Sequence, residues 1–332
     1  STLLLAVRQR LILLGDLDAK AANTAAADPH TVAANPHTVA ANPHTTAANP
    51  HTTAANLHTA AFTNTDSIAL CRFQHRMGLR PDGKLGPATL RALNITPKQR
   101  ITQILINMER SRWLPESAPG DYLAVNIPEF RLHAYRDDSL LWDMRVVVGK
   151  AMHKTTIFSG TLRNIVFSPY WNVPPGILRK EVLPGIAKDP SYLARHHMER
   201  YANGVRQKPG PWNSLGGVKF LFPNSHNIYL HDTPSKDLFN ENDRAFSHGC
   251  VRVAQPAKLA AWLLRNDPSW NPDRIEEAMH SGKEKWVEDP GNVPVFIVYF
   301  TAWVDRSGLL NFREDIYRRD KRLATLVAPN NE

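Results

Sequence analysis

Read from its N-terminus, the chain first shows an apolar beat of three to four residues. Leu4, Val7, Leu11 and Leu14 recur at helical spacing over residues 1–17, and Gly15 is placed to stop the helix. The beat returns after residue 63. Ala69, Phe73 and Met77 share one face, Asp66 or Ser67 serves as N-cap, Gly78 closes the helix and "RPDG" turns the chain. Pro87 opens another helix with Leu90 and Leu93 inward. Residues 97–114 predict a further one, with Ile101, Leu105 and Met108 as its inward stripe.

From Tyr122 the period changes. Apolar and polar positions alternate in "YLAVNIPEFRLHAYRDD", "LLWDMRVVVGK" and "TIFSGTLRNIVFSPYW", with many β-branched and aromatic residues, which predicts strands. Residues 175–215 interrupt them with two short helical pieces and a Gly/Pro-rich loop, "VRQKPGPWNSLGG". An insertion of this kind between strands is expected to act as a lid. Strands resume in "VKFLFPNSHNIYLHDT" and "VPVFIVYFTAWVD", separated by helices in "AQPAKLAAWLLRND" and "NPDRIEEAMHSG". The tail after residue 305 is polar, with a minor apolar face and no functional signal.

Five consecutive seven-residue units occupy residues 28–62, each with a histidine: His30, His37, His44, His51 and His58. The period invites a coiled-coil reading, but four of the five units carry a proline, which removes helix hydrogen bonds and clashes with the preceding turn. A loosely turned insertion inside the small helical domain is expected. The sharper alternative is a histidine-rich metal tract.

Composition narrows the partners. The formal net charge is +9, from 40 Lys and Arg against 31 Asp and Glu, which favours polyanionic surroundings: nucleic acid, anionic lipid or an acidic wall polymer. No Lys/Arg run or basic-aromatic stripe singles out nucleic acid. No apolar run reaches 18 residues, so no transmembrane helix is visible, and "LLLAV" is too short for one. A chain opening on Ser1 fits an exported product whose signal segment is absent. Two cysteines, Cys71 and Cys250, make no disulfide framework.

Cys250 stands in "SHGCVRV". A cysteine is commonly a small core residue, but Ser247, His248 and Gly249 make a poor core stretch. Arg252 would share its side of a strand and favour the thiolate, the form that attacks a carbonyl carbon. His231 follows the strand "NIYLH" and is held rigidly enough to serve as base, leaving His248 to shape the pocket. Backbone amides around His248, Gly249 and Cys250 could face a developing oxyanion. Zinc on His226, His231, His248 and Cys250 is the rival, although His226 and His231 at an odd offset would face opposite sides of a regular strand. Asp232 would also point away from His231, so a backbone carbonyl is an equally good partner for the imidazole. Tyr229 shares the face of His231, Trp212 and Asn213 lie at the exit of the insertion, and Arg252 suits a substrate carboxylate. Lys219 is assigned no role.

"HDTPSKDLFNENDRAFSHGCVRV" resembles the active-site signature of the L,D-transpeptidases: a histidine followed at this distance by Ser/Thr-His-Gly-Cys. His231 matches the base, Ser247 and His248 the residues before the glycine, and Cys250 the nucleophile; Arg252 stands where many members carry asparagine. "AVRQRLILLGDL" and "RFQHRMGLRPDGKLGPATLRALN" resemble a peptidoglycan-binding module, which the repeat at 21–61 interrupts. "FSPYWNVPPGI" and "RQKPGPWNSLGGVKFLFPNSHNIYLHDTPS" are similar to large periplasmic Gram-negative members with an inserted lid.

The resemblance implies a mostly β catalytic domain, a β-sandwich of L,D-transpeptidase type at 121–305 with its lid at about 175–215. A small α-helical domain at 1–96, a helix and linker at 97–120 and a tail at 306–332 complete the chain. It implies cysteine acyl transfer that joins peptidoglycan stem peptides 3→3, with no metal or cofactor, in the periplasm or anchored to the inner membrane. It also implies acylation by carbapenem β-lactams. A cysteine hydrolase on wall peptides and a non-catalytic wall-binding protein are the alternatives.

Overall fold

The computed structural model describes residues 2–19, 62–116 and 118–327. The heptapeptide repeat and the metal-tract reading of its histidines lie outside the described residues. The chain divides into two compact units, Ser1–Ile101 with Val304–Phe312, and Thr102–Trp303 with Arg313–Glu332.

The first unit holds α1 (Thr2–Leu13), α2 (Asn64–Arg76) and α3 (Pro87–Leu93). Leu4, Val7, Leu11, Ala69, Phe73, Met77 and Leu93 are buried together, as their spacing predicts. Two buried ion pairs tie α1 and the residues after it to α2. The Arg8 guanidinium donates to both oxygens of Asp66, at 2.7 and 2.6 Å, and Arg76 donates to both oxygens of Asp16, at 2.9 and 2.6 Å. The cap of α2 is Thr63 rather than Asp66 or Ser67. Thr63 Oγ1 accepts the Asp66 N–H while the Asp66 carboxylate accepts the Thr63 N–H, a reciprocal box that starts the helix earlier. Burial opposes ionisation of Asp66, but Arg8 and Thr63 hold its carboxyl below the usual range.

The last helix before the sheet, α4 (Pro97–Ser111), overturns the expected stripe. Ile101 and Met108 are 57% and 55% exposed. Beside the buried Ile106 its inward face is polar: the Gln103 amide donates to the carbonyls of Thr301 and Arg313, Asn107 bonds Thr301 through both ends of its amide, and Arg110 pairs with Asp320 at 2.6 Å. Positions 103, 107 and 110 form one helical face. A search for apolar periodicity passes over it.

The second unit is a curled mixed sheet. Its strands are β1 (Asp121–Asn126), β2 (Arg131–Arg136), β3 (Ser139–Gly149), β4 (Phe158–Thr161), β5 (Asn164–Phe167), β6 (Trp171–Asn172), β7 (Met198–Tyr201), β8 (Gly204–Gln207), β9 (Val218–Leu221), β10 (Leu230–His231), β11 (Ala245–Ser247), β12 (Val251–Val253), β13 (Lys285–Glu288) and β14 (Pro294–Val298). The spatial order is β13-β5-β9-β10-β12-β3-β2-β1-β14-β4, with β11 alongside β3. β10–β12, β1–β14 and β3–β11 pair in parallel. Alternate residues of these strands, including Ile165, Phe167, Val218, Phe220, Leu230, Val251 and Val253, enter one core. Helices α5 (Pro256–Leu263) and α6 (Pro272–His280) add Leu259, Leu263, Ile275 and Met279 to it.

The insertion leaves the sheet after β5. A helical run over 175–188, wound as a π-helix at Leu178–Val182, precedes a small sheet ordered β6-β8-β7. Val173, Val182 and Val205 form its own core. The first three residues of "VRQKPGPWNSLGG" belong to strand β8, because β6 and β7 give it partners on both sides, and the rest is loop as expected. The tail also differs from its featureless reading: Tyr317 is buried in the main core, and α7 (Asp320–Val327) follows it. No helix among the described residues is long and apolar enough to cross a membrane.

Removing one partner of a buried ion pair strands the other. Asp66→Ala also opens the capping box, so it should destabilise the helical unit by about 3 kcal/mol. Faster amide hydrogen exchange across α2, with little change in the sheet, is the expected result.

Candidate active site

Strands β10 and β12 are adjacent and parallel, with Leu230 opposite Val251 and His231 opposite Arg252. Side chains alternate between the faces of a strand. Leu230, Val251 and Val253 enter the core, so Tyr229, His231, Cys250 and Arg252 share the other face. The Val251 N–H donates to the Tyr229 carbonyl at 3.1 Å, which holds the register where the strands begin. Tyr229 is therefore the cross-strand neighbour of Cys250 and His231 its diagonal neighbour, a relation that spans about 7–8 Å between backbones. β9 places Lys219 opposite His231 on its far side.

Burial pushes the Cys250 thiol above its usual range, while the amide and phenol of Tyr229 and the charge of Arg252 pull it back. The thiol donates to the Asn227 carbonyl at 3.6 Å. His231 is buried, and burial together with the field of Arg252 lowers its pKa to about 4, against a weaker pull from the carbonyls of Asp232 and Leu215. Its Nδ1 bonds the Asp232 carbonyl. The Asp232 carboxylate faces elsewhere: it accepts the N–H of Gly217 at 2.8 Å and of Thr233 at 2.6 Å, and pairs with Lys236. At neutral pH the resting pair is thus an uncharged thiol beside an uncharged imidazole.

The turn that carries Cys250 is pinned from within. Ser247 is buried; its hydroxyl donates to the Cys250 carbonyl at 2.5 Å and accepts the Gly249 N–H at 3.1 Å. Ser247 thus shapes the turn, and the Gly249 amide is engaged by its hydroxyl.

The turn is also pinned from outside, by residues the sequence did not single out. Thr155 Oγ1 accepts the Gly149 N–H at 2.9 Å and donates to the Gly249 carbonyl at 2.8 Å. The Tyr317 hydroxyl donates to the Gly149 carbonyl and accepts the Thr155 N–H at 3.2 Å. A Cβ on Gly149 would collide with the His153 carbonyl and stand 3.1 Å from Gly249 Cα. Gly249 has φ +122°, which favours glycine.

The remaining candidates sit around this centre. His248 is exposed, with Nε2 3.4 Å from Glu181 of the insertion and its ring 5.1 Å from that of His153. Burial is the largest influence on its pKa, which is lowered. Trp212 stacks on His197 at 3.7 Å and is 42% exposed. Asn213 is fully buried, its amide donating to the carbonyls of Pro169 and Lys208, so it braces the loop and presents nothing to a ligand. His226 is exposed, its ring 5.3 Å from that of Phe158. No cluster of three His, Cys, Asp or Glu among the described residues could hold a metal. Cys71 and Cys250 are both free.

Thr155→Val removes the bridge and leaves a buried N–H and a buried carbonyl unsatisfied, a loss of about 2–4 kcal/mol. A lowered thermal midpoint together with faster hydrogen exchange at residues 247–250 is the expected outcome.

Residues 120–290 match the family model described as "L,D-transpeptidase catalytic domain", and residues 65–93 match "Putative peptidoglycan binding domain". A Haemophilus influenzae protein named "Putative L,D-transpeptidase" is 33% identical over 256 residues, covering 71% of this chain and 50% of its own length. The chain thus spans about half the length of that relative. Among solved structures, an L,D-transpeptidase from Mycobacterium smegmatis aligns over 54% of this chain and 58% of its own, at 13% identity and a TM-score of 0.30. Another, from Stackebrandtia nassauensis, aligns over 89% and 90% at 15% identity and a TM-score of 0.30. The structural likenesses are slight and carry no weight in the assignment. By its catalytic-domain match and its curated relative, this chain belongs to the L,D-transpeptidase family of YkuD type and carries a peptidoglycan-binding module.

Proposed function

We propose that this chain is a cysteine L,D-transpeptidase that forms 3→3 cross-links between peptidoglycan stem peptides. The observation that supports it most is the shared polar face of β10 and β12, where Cys250 and His231 are diagonal neighbours and Arg252 stands beside both. The chemistry below is that of the family, carried onto these residues.

The donor is a tetrapeptide whose third residue, meso-diaminopimelate, is joined to a terminal D-alanine. Cys250 Sγ gives its proton to His231 and attacks the carbonyl at the L-centre of diaminopimelate. With Nδ1 committed to the Asp232 carbonyl, Nε2 is the nitrogen that takes the proton. The carbonyl oxygen becomes an oxyanion beside the amides of His248 and Cys250. The C–N bond then breaks, the imidazolium protonates the departing D-alanine amine, and a thioester remains. The side-chain amine of an acceptor diaminopimelate attacks the thioester and loses a proton to His231. The C–S bond breaks and the sulfur regains a proton. Arg252 meets the terminal carboxylate of the donor.

The Glu181–His248 contact supports the insertion as a lid over this cleft. The helical unit holds the enzyme on the wall polymer, in keeping with the net positive charge. Export to the periplasm, and membrane anchoring there, belong to the same reading, as in large Gram-negative members with a lid. Carbapenems, with a strained acyl donor and a carboxylate, suit the same thiol and arginine.

Purified protein given tetrapeptide fragments should release D-alanine and yield 3→3 dimers detectable by mass spectrometry, and a carbapenem should add its mass once. Cys250→Ala should abolish both; dimers persisting in that variant would falsify the nucleophile. Tripeptide as sole product would instead mark a hydrolase. The pH response follows from the resting state. Alkylation of Cys250 by iodoacetamide should rise with pH, its midpoint above the usual thiol value of about 8.5. Arg252→Met should move that midpoint higher still. Because His231 is a base only when neutral, the acid limb of kcat/KM should fall near its pKa of about 4 and not near 6.5.

A further inference from the structure

One transverse row of the sheet reads Trp286, Val166, Lys219, His231 and Arg252, each directly opposite the next. Adjacent strands are about 4.8 Å apart, so the backbones carrying Lys219 and Arg252 stand roughly 10 Å from each other, with His231 between them. Both cations are half-buried on the face of Cys250. Arg252 Nε is buried with no hydrogen-bond partner. Lys219 Nζ reaches the Tyr170 carbonyl at 3.4 Å and lies 5.6 Å from the centre of the Trp286 ring. Glu284 is the carboxylate that acts on Lys219 electrostatically, but its oxygens are engaged. Oε1 accepts the Tyr170 N–H at 2.9 Å and Oε2 accepts the Trp286 indole N–H at 3.2 Å.

Taking a cation out of water without a counter-ion is unfavourable. Arg252, with its Nε unpartnered, and Lys219, offset in part by Glu284, stand in one row and fit a ligand with two carboxylates at a matching distance. We propose that Lys219 is a specificity-determining residue that binds the distal, D-centre carboxylate of the donor diaminopimelate, while Arg252 holds the terminal carboxylate. The inference rests on the transpeptidase reading for the identity of the donor. Arg252 lies on the strand of Cys250, two positions away, so it serves the carboxylate one residue beyond the attacked carbonyl. Lys219 lies two strands off and serves the far end of the side chain. The two carboxylates of an extended donor are separated by about three residue lengths, roughly 10 Å, which matches the row. The floor of the cleft then distinguishes diaminopimelate from lysine, which lacks the distal carboxylate, and from diaminopimelate amidated there.

The test is equilibrium binding in a Cys250→Ala background, where neither ligand reacts. The probes are the tetrapeptide with its distal carboxylate free and the same peptide with that carboxylate amidated. The parent should bind the free acid roughly tenfold more tightly. Lys219→Met should erase the preference and Lys219→Arg should keep it. A parent that binds both peptides equally, or a preference that survives Lys219→Met, overturns the proposal. Binding and turnover separate the two readings: a chain that shows the preference but makes no dimer sinks the cross-linking function alone. A chain that binds neither peptide overturns both.

Discussion

The close approach of two glycines governs this molecule. Gly149 at the end of β3 has no room for a side chain, because the His153 carbonyl fills that place and Gly249 Cα stands 3.1 Å away. One hydroxyl, Thr155 Oγ1, satisfies the amide of the first and the carbonyl of the second. Tyr317 locks that knot from the far end of the chain. The direction in which Cys250 points is thus fixed by buried polar groups that all find partners, an arrangement that is stiff when complete and costly when broken.

Around the knot, burial and charge oppose each other. Burial drives both the thiol and the imidazole toward their neutral forms, and the neighbouring guanidinium favours the thiolate while disfavouring the imidazolium. Burial dominates at Cys250 and the two effects add at His231. Both influences favour the uncharged imidazole, and burial favours the uncharged thiol.

How much of this was legible in the sequence follows from distance along the chain. His231 and Cys250 stood out because the motif that carries them is local, and "NIYLH" ends in the short strand Leu230–His231 that holds the histidine. The helical module was equally plain, since Leu4, Leu11, Phe73 and Leu93 keep helical spacing. Thr155 and Tyr317 could not be read, because their partners lie 94 and 168 residues away and nothing in a polar tail marks one tyrosine as buried. The inward face of α4 was missed for a related reason: two carboxamides and a guanidinium, beside Ile106, do the packing that Ile101, Leu105 and Met108 were expected to do. Ser247 and Gly249 were recognised, but only the folded turn shows that each engages the other.

Tyr317 also bears on how far the folded unit extends along the chain. The family match stops at residue 290, before β14, which lies between β1 and β4, and before the tyrosine whose ring is stacked on Tyr299 in the core. A fragment excised at that boundary would lack an interior strand and an interior aromatic. The family match thus outlines only part of the folded unit, and cooperative folding needs the residues that follow it.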